Sequence, residues 1–134
     1  MKWLLFILSG IFLVGSDAMG EDWKLFSESE GSSFFFDAQT VACPSDNITR
    51  VSVKMVVSEK DRSVWVGRGG EKYLNLSYIK SFLEIDCKEI RERSLSLELF
   101  SEQETLDFFK GKESQWRSIP PGSNWDNLHK AICQ

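Results

Sequence analysis

Residues 78–87 read YIKSFLEIDC, and apolar and polar side chains alternate along them. One parity holds Ile79, Leu83, Ile85 and Cys87. A period of two is typical of a strand with one buried face. The stretch therefore predicts a central strand that ends near Cys87, with Glu84 and Asp86 turned to solvent on its other face.

The same period recurs on both sides of this strand. The other predicted strands are residues 23–27, 34–38, 51–58, 94–99 and 105–109. Short polar connections between strands favour an antiparallel sheet, and no long helix alternates with the strands as a parallel sheet would need. The fold class expected is α+β, with an antiparallel sheet of about six strands.

Two polar segments interrupt the strand pattern. Residues 59–72 contain several glycines and charged residues, which predicts a loop with at most one helical turn. Its sequence Gly67-Arg68-Gly69-Gly70 lacks the Gly-Lys-Ser/Thr ending of a phosphate-binding loop. The alternating charges of residues 88–93 predict a solvated strand edge or turn.

The last residues predict a helix that packs on the sheet. Pro120-Pro121-Gly122 ends the strand pattern, Ser123 is a good N-cap, and Asp126 follows three residues later. The apolar stripe consists of Trp125, Leu128 and Ile132, and the residues expected to point away are Asn124, Asn127 and Lys130. A helix of about ten residues is marginal alone in water, so it must dock on the sheet to persist.

The N-terminus has the three-part pattern of a secretory signal. Met1-Lys2 are followed by an apolar run from Trp3 to Gly15 and then by small residues. The run is shorter than the roughly 20 residues that span a bilayer. We expect residues 1–20 to be a signal peptide and residues 21–134 to be one domain, periplasmic or secreted. No cysteine follows the apolar run directly, which argues against lipid modification, and no transmembrane segment is expected after cleavage.

In an oxidising compartment the three cysteines predict a disulfide. Three pairings can form. Cys87–Cys133 is favoured because it would clamp the terminal helix to the central strand. It would close a loop of about 46 residues and contribute about 4 kcal/mol. Cys43, in a turn-like segment before Pro44, is then the free-thiol candidate.

Charge and motifs argue against several function classes. The net charge is −4, which disfavours nucleic acid as the main partner. The sequence has one histidine, His129, and no Gly-x-Ser-x-Gly motif that would supply a nucleophilic serine for it. No metal-binding spacing and no cofactor motif occurs. We therefore predict no catalytic residue, no metal and no cofactor.

Two aromatic features call for an explanation. Phe34-Phe35-Phe36 must turn side chains to both faces of a strand. Either the second face is covered, or Phe35 lies at an edge or a self-association surface. Trp116, just before the proline turn, is expected to plug the junction between loop and helix.

The order of these motifs resembles the bacterial surface-adhesin protein E-like family. The resemblance rests on Trp23, Phe35-Phe36-Asp37, Val51-Ser52-Val53-Lys54, Glu84-Ile85-Asp86-Cys87-Lys88, residues 116–123 (WRSIPPGS) and the terminal Cys133. It implies a small antiparallel sheet with a C-terminal helix tied on by a disulfide. The founding adhesin is an outer-membrane lipoprotein that binds host matrix and serum proteins and can dimerise. This chain lacks its lipidation cysteine.

We therefore expect an exported, non-catalytic binding module that engages a host or envelope protein, with homodimer formation as a further option. No ligand-binding residue carries over from the family. One alternative is a periplasmic inhibitor of a secreted enzyme that presents residues 66–72 as a loop. The other is a small carboxylate-dependent hydrolase.

Overall fold

A computed structural model of the protein describes residues 21–111 and 115–133. The expected signal peptide, residues 1–20, lies outside the described residues. The strands are β1 Trp23–Ser29, β2 Ser32–Asp37, β3 Ala42–Ser45, β4 Ile48–Val56, β5 Tyr78–Asp86, β6 Arg91–Phe100, β7 Thr105–Lys110 and β8 Arg117–Ser118. The α-helices are α1 Glu59–Gly69 and α2 Asn124–Ile132, and the 3-10 helices are Ala38–Thr40 and Glu71–Tyr73.

The strands form one antiparallel sheet in the order β1-β2-β4-β5-β6-β7. β3 pairs with the first half of β4, beyond the end of β2, and β8 pairs with the start of β6. The six predicted strands and the α+β class are confirmed. β3 was missed because it contains Pro44 and all its residues are exposed, and β8 because it has only two residues.

Both helices pack on the same face of the sheet, which we call the helix face. Around α2 the buried core is Val51, Val53, Leu83, Ile85, Ile119 and Leu128. Around α1 and the second 3-10 helix it is Val57, Tyr73, Leu76, Ile79 and Leu99. The strand residues of the two clusters share the parity that the alternation predicted, so one apolar face supports both helices.

α2 forms as predicted. Ser123 Oγ accepts a hydrogen bond from the Asp126 backbone N–H at 3.2 Å, and Leu128 is fully buried. The Cys87–Cys133 disulfide joins the end of β5 to the end of α2, with the Cα atoms 5.5 Å apart. His129 Nε2 lies 3.0 Å from the Cys87 carbonyl oxygen, which adds a second link at the same corner.

The expectation that Asn124 and Asn127 point away from the sheet is wrong. Ser27 Oγ of β1 donates to Asn124 Oδ1 at 2.6 Å and accepts from Asn127 Nδ2 at 2.9 Å. Ser27 lies next to a β-bulge of β1, and the bulge turns its hydroxyl toward the helix. A polar seam therefore flanks the apolar stripe of α2.

The prediction of a loop at residues 59–72 is also wrong, since most of it is α1. Ser58 caps the helix by accepting from the Asp61 N–H, and Glu59 and Asp61 place negative charge at its N-terminus. Gly70, at φ 97°, ends it with an N–H···O bond to Val66. No residue of α1 is fully buried, which explains the weak periodicity.

Candidate functional site

The opposite face of the sheet, which we call the open face, carries four rows of side chains across β4, β5 and β6. The rows are Arg50–Glu84–Arg93, Ser52–Phe82–Ser96, Lys54–Lys80–Glu98 and Val56–Tyr78–Phe100. Trp23 and Phe35, from β1 and β2, extend this face toward the sheet edge. Aromatic and cationic side chains thus dominate the surface away from the helices.

Two lysines lie side by side at the middle of the open face. Lys54 and Lys80 are directly paired across β4 and β5, an arrangement that repulsion disfavours. Their ammonium nitrogens lie 4.8 and 5.9 Å from the Trp23 ring centroid. Each such contact contributes about 0.5–1 kcal/mol at an exposed site, which offsets part of the repulsion.

The aromatic row beside the lysines supports them further. Tyr78 and Phe100 stack with centroids 4.7 Å apart. The Lys54 ammonium lies 5.7 Å from the Tyr78 ring, and the Lys80 ammonium lies 5.7 Å from the Phe100 ring. The rings therefore hold both cations at the surface.

At the other end of the open face the acids are paired with arginines. Glu84 and Asp86 are only 3% and 6% exposed, so the expectation that they face solvent is wrong. Glu84 accepts hydrogen bonds from Arg50 and Arg93 at 2.6 and 2.9 Å, and Asp86 pairs with Arg91 at 2.9 Å. The arginine side chains cover the carboxylates that the alternation pattern had placed in water.

The pKa values of these carboxyls follow from the pairing. Burial alone would raise the pKa of Glu84, but hydrogen bonds from Arg50 and Arg93 outweigh burial and lower it. For Asp86 burial is again outweighed, here by hydrogen bonds from the Glu89 N–H and Arg91. Both groups stay ionised, whereas a general acid needs a raised pKa.

Trp116 covers this cluster and does not plug the junction between loop and helix. Its ring centroid lies 4.4 Å from the Arg93 guanidinium carbon and 5.1 Å from that of Arg91. The indole thus extends the aromatic and cationic character of the open face to its far end.

Residues 88–93 are only partly the solvated segment that was predicted. They begin as the turn between β5 and β6, but Glu92 is 4% exposed on the helix face, in register with Ile85. Its Oε2 pairs with Arg117 at 2.9 Å, whereas Oε1 has no hydrogen-bond partner among the described residues. Burial raises the pKa of Glu92 despite Arg117.

The centre of the open face has a shallow depression of about 330 Å³. Its lining combines Trp23, Phe82 and Lys80 with serine and threonine hydroxyls and with three acidic residues, Glu21, Asp37 and Glu98. Phe35 is half-buried on this same face. The depression therefore offers a partner's side chains flat rings, hydroxyls, one cation and several carboxylates.

Cys43 lies outside the disulfide, on the exposed strand β3 and not in an isolated turn. Its Sγ is 3.8 Å from Thr49 Oγ1, which is 3.4 Å from the Cys87 sulfur. A role for Cys43 as a free thiol stays a prediction.

Residues 66–72, considered as an inhibitory loop, contain the end of α1 and most of a 3-10 helix that buries Tyr73. Within residues 21–111 and 115–133, no three His, Cys, Asp or Glu side chains are grouped to hold a metal ion. In the same residues no helix is both long enough and apolar enough to cross a membrane.

The open-face cluster was missed because it depends on strand register. Lys54 and Lys80 occupy the polar parity of β4 and β5, which reads as ordinary solvated surface in the sequence. Only the pairing of β4 with β5, and the reach of Trp23 from β1, brings them to one place.

Known proteins that are similar to this chain include one protein family and two solved structures. Residues 23–134 match the family described as Surface-adhesin protein E. Crystal form II of Haemophilus influenzae protein E aligns with a TM-score of 0.51 at 11% identity, over 81% of this chain and 91% of that chain. Protein E from non-typeable Haemophilus influenzae aligns at 0.49 and 9% identity, over 81% and 74% of the two chains. No curated protein matches. The structural likeness concerns the fold, and the match along most of the sequence shows that the chain belongs to the surface-adhesin protein E family.

Proposed function

We propose that the protein is an exported, non-catalytic, adhesin-like binding module that engages protein partners through the open face of its sheet. The observation that carries the proposal is the distribution of side chains between the two faces. The helix face is covered by α1 and α2, whereas the open face presents Trp23, Tyr78, Phe82 and Trp116.

The composition of the open face suits a protein interface. Trp, Tyr and Arg are the residues that most often dominate binding energy at interfaces, because they bury a large area for few rotatable bonds. Here the rings are held in place by stacking and by cations, which reduces the entropy that binding would cost. Membership of a surface-adhesin family supports the same role.

The absence of catalysis is part of the proposal. Glu84 and Asp86, the carboxylates in question for a hydrolase, are each engaged by arginine and have lowered pKa values. The observations give no comparable support to an inhibitor that presents residues 66–72, because most of that segment is helical and not a protruding loop.

A photo-crosslinking amino acid tests which face meets the partner. It replaces Ser96 on the open face in one variant and the exposed Val64 of α1 in a matched control. Each protein is irradiated in a mixture of serum and envelope proteins, and the products are identified by mass spectrometry. We expect discrete protein adducts from position 96 and none from position 64. A product at twice the mass of the chain would identify the partner as a second copy.

Equal adducts from both positions, or adducts from position 64 alone, would contradict the proposal. Circular dichroism of each variant before irradiation shows whether it is folded. Release of product from glycan or ester substrates by the purified protein would contradict its non-catalytic part.

A further inference from the structure

We propose that Lys54 and Lys80 form a binding site for the carboxylates of an acidic segment in the partner protein. The inference rests on the proposed function and adds the chemistry of the partner to it.

The first argument is that few carboxylates contact the two lysines. Among the described residues Lys54 contacts the Trp23 and Tyr78 rings and takes part in no ion pair with a carboxylate. Lys80 has one ion pair, with the half-exposed Glu21 at 3.3 Å. Glu98 is the cross-strand neighbour of Lys80, so the acids of this region lie at Lys80, and Lys54 is the cation that no carboxylate in the described ranges contacts.

The second argument is that the ammonium groups are held in place. Both contact the same indole, and Lys80 also contacts Phe100. A cation fixed on aromatic rings loses less side-chain entropy when it binds an anion than a free surface lysine does. An anionic group bridging the two lysines would also remove the repulsion between them.

The surroundings favour a short acidic peptide segment over an extended polyanion. Glu98 completes the lysine row on the β6 side, and Glu21 lies at Lys80, so the basic patch is only two lysines wide. A glycan or nucleic acid with charges along its length needs a continuous track of cations. The nearby arginines do not supply that track, because Arg50 and Arg93 pair with Glu84.

The apolar row next to the lysines fits the same occupant. Val56, Tyr78 and Phe100 lie one row away on the open face. An acidic segment that contains an apolar residue can place its carboxylates on the lysines and its apolar side chain on this row. This combination of charge and apolar contact is usual in protein interfaces.

The test uses three probes: a short oligo-L-glutamate peptide, an oligo-L-glutamine peptide of the same length, and heparin. Binding to the exported protein is measured by fluorescence anisotropy at two salt concentrations. We expect the glutamate peptide to bind, more weakly at high salt, and the glutamine peptide not to bind. Lys54→Gln and Lys80→Gln should each weaken binding roughly three- to tenfold.

Two variants serve as controls. Lys88→Gln removes the same charge from the exposed turn after β5 and should leave affinity unchanged. Lys54→Arg keeps the charge on the aromatic rings and should retain binding. Thermal unfolding of every variant shows whether a loss of binding reflects a loss of folding.

Equal weakening by Lys88→Gln would overturn the inference, as would heparin binding that depends on Lys54 and Lys80 in the absence of peptide binding. The two proposals can fail separately. No peptide binding together with crosslinks from position 96 would reject the acidic occupant and leave the binding module intact. Equal crosslinks from positions 96 and 64 would reject the binding face whatever the lysines do.

Discussion

Glu92 is a buried carboxylate that depends on one exposed arginine. Burial raises its pKa, and Arg117 offsets only part of that effect. At pH values between the pKa of Glu92 in the unfolded state and its higher pKa in the folded state, the folded protein binds more protons than the unfolded protein. The charged carboxylate therefore reduces stability as the pH rises through that window.

Removal of Arg117 should make this effect of Glu92 on the free energy of unfolding measurable. Arg117→Ala leaves the ionised Glu92 buried without a partner, and we expect a loss of about 1–2 kcal/mol in the free energy of unfolding at neutral pH. The loss should shrink toward about pH 4, because protonated Glu92 does not need the arginine. Urea unfolding at both pH values measures it, with Arg117→Lys as the control that keeps the charge. Equal destabilisation at both pH values would contradict this account of Glu92.

For Asp107 of β7 the contribution to stability depends on pH in the opposite direction. Hydrogen bonds from Lys72 and Tyr73 lower its pKa to about 2. A depressed pKa stabilises the folded state above the unfolded value of about 3.9, and the stabilisation is lost as the pH falls toward about 2. Asp107→Asn should therefore make stability less dependent on pH over that acid range. Urea midpoints of both proteins across the range test this, and parallel curves would count against it.

At the scale of elements, α2 is held by the disulfide and by the seam to Ser27. Cys133→Ser should lower the free energy of unfolding by about 4 kcal/mol, because the 46-residue loop is no longer closed in the unfolded chain. Chemical denaturation of the variant and of the native protein measures the difference. Cys43→Ser, outside the disulfide, is the matched control and should unfold like the native protein.

α1 depends on its cap more than on burial. Ser58→Ala removes the acceptor for the Asp61 N–H and the contact with Ser32, and we expect a loss of about 1 kcal/mol. Ser63→Ala, at an exposed position inside the same helix, should have little effect or a slight stabilising one. Thermal unfolding compares the two variants. Equal stability of both would show that Ser58 does not cap the helix.

The elements that the sequence predicts well are those whose apolar side chains lie on one buried face. β4, β5 and β6 alternate because one face is buried, and α2 has the stripe of Trp125 and Leu128 together with the Ser123 cap. α1 has no buried residue, and its neighbouring Val64, Trp65 and Val66 form no stripe, so tertiary context stabilises a helix that the pattern hides.

The candidate site was less predictable because its parts are distant in the chain. Trp23 meets Lys54 and Lys80 only after strands β1, β2, β4 and β5 are aligned. Parity assigns Glu84 to the polar face, but it cannot show that Arg50 and Arg93 bury it there. Burial by paired charges depends on register, which sequence alternation does not fix across strands.

At the scale of the whole molecule, the two faces of the sheet differ in what covers them. The helix face contains the core, the disulfide and the α2 seam, which together stabilise the fold. The open face carries rings, hydroxyls and cations that contribute less to that core.

Lysine reactivity tests the central claim, that the partner binds the open face, most directly. The free protein and its complex with a captured partner are acetylated briefly, and modification at each lysine is quantified by mass spectrometry. We predict that the complex protects Lys54 and Lys80, whereas Lys60 on α1 and Lys88 in the turn after β5 react as in the free protein. Protection of Lys60 with unchanged reactivity of Lys54 and Lys80 would contradict the claim.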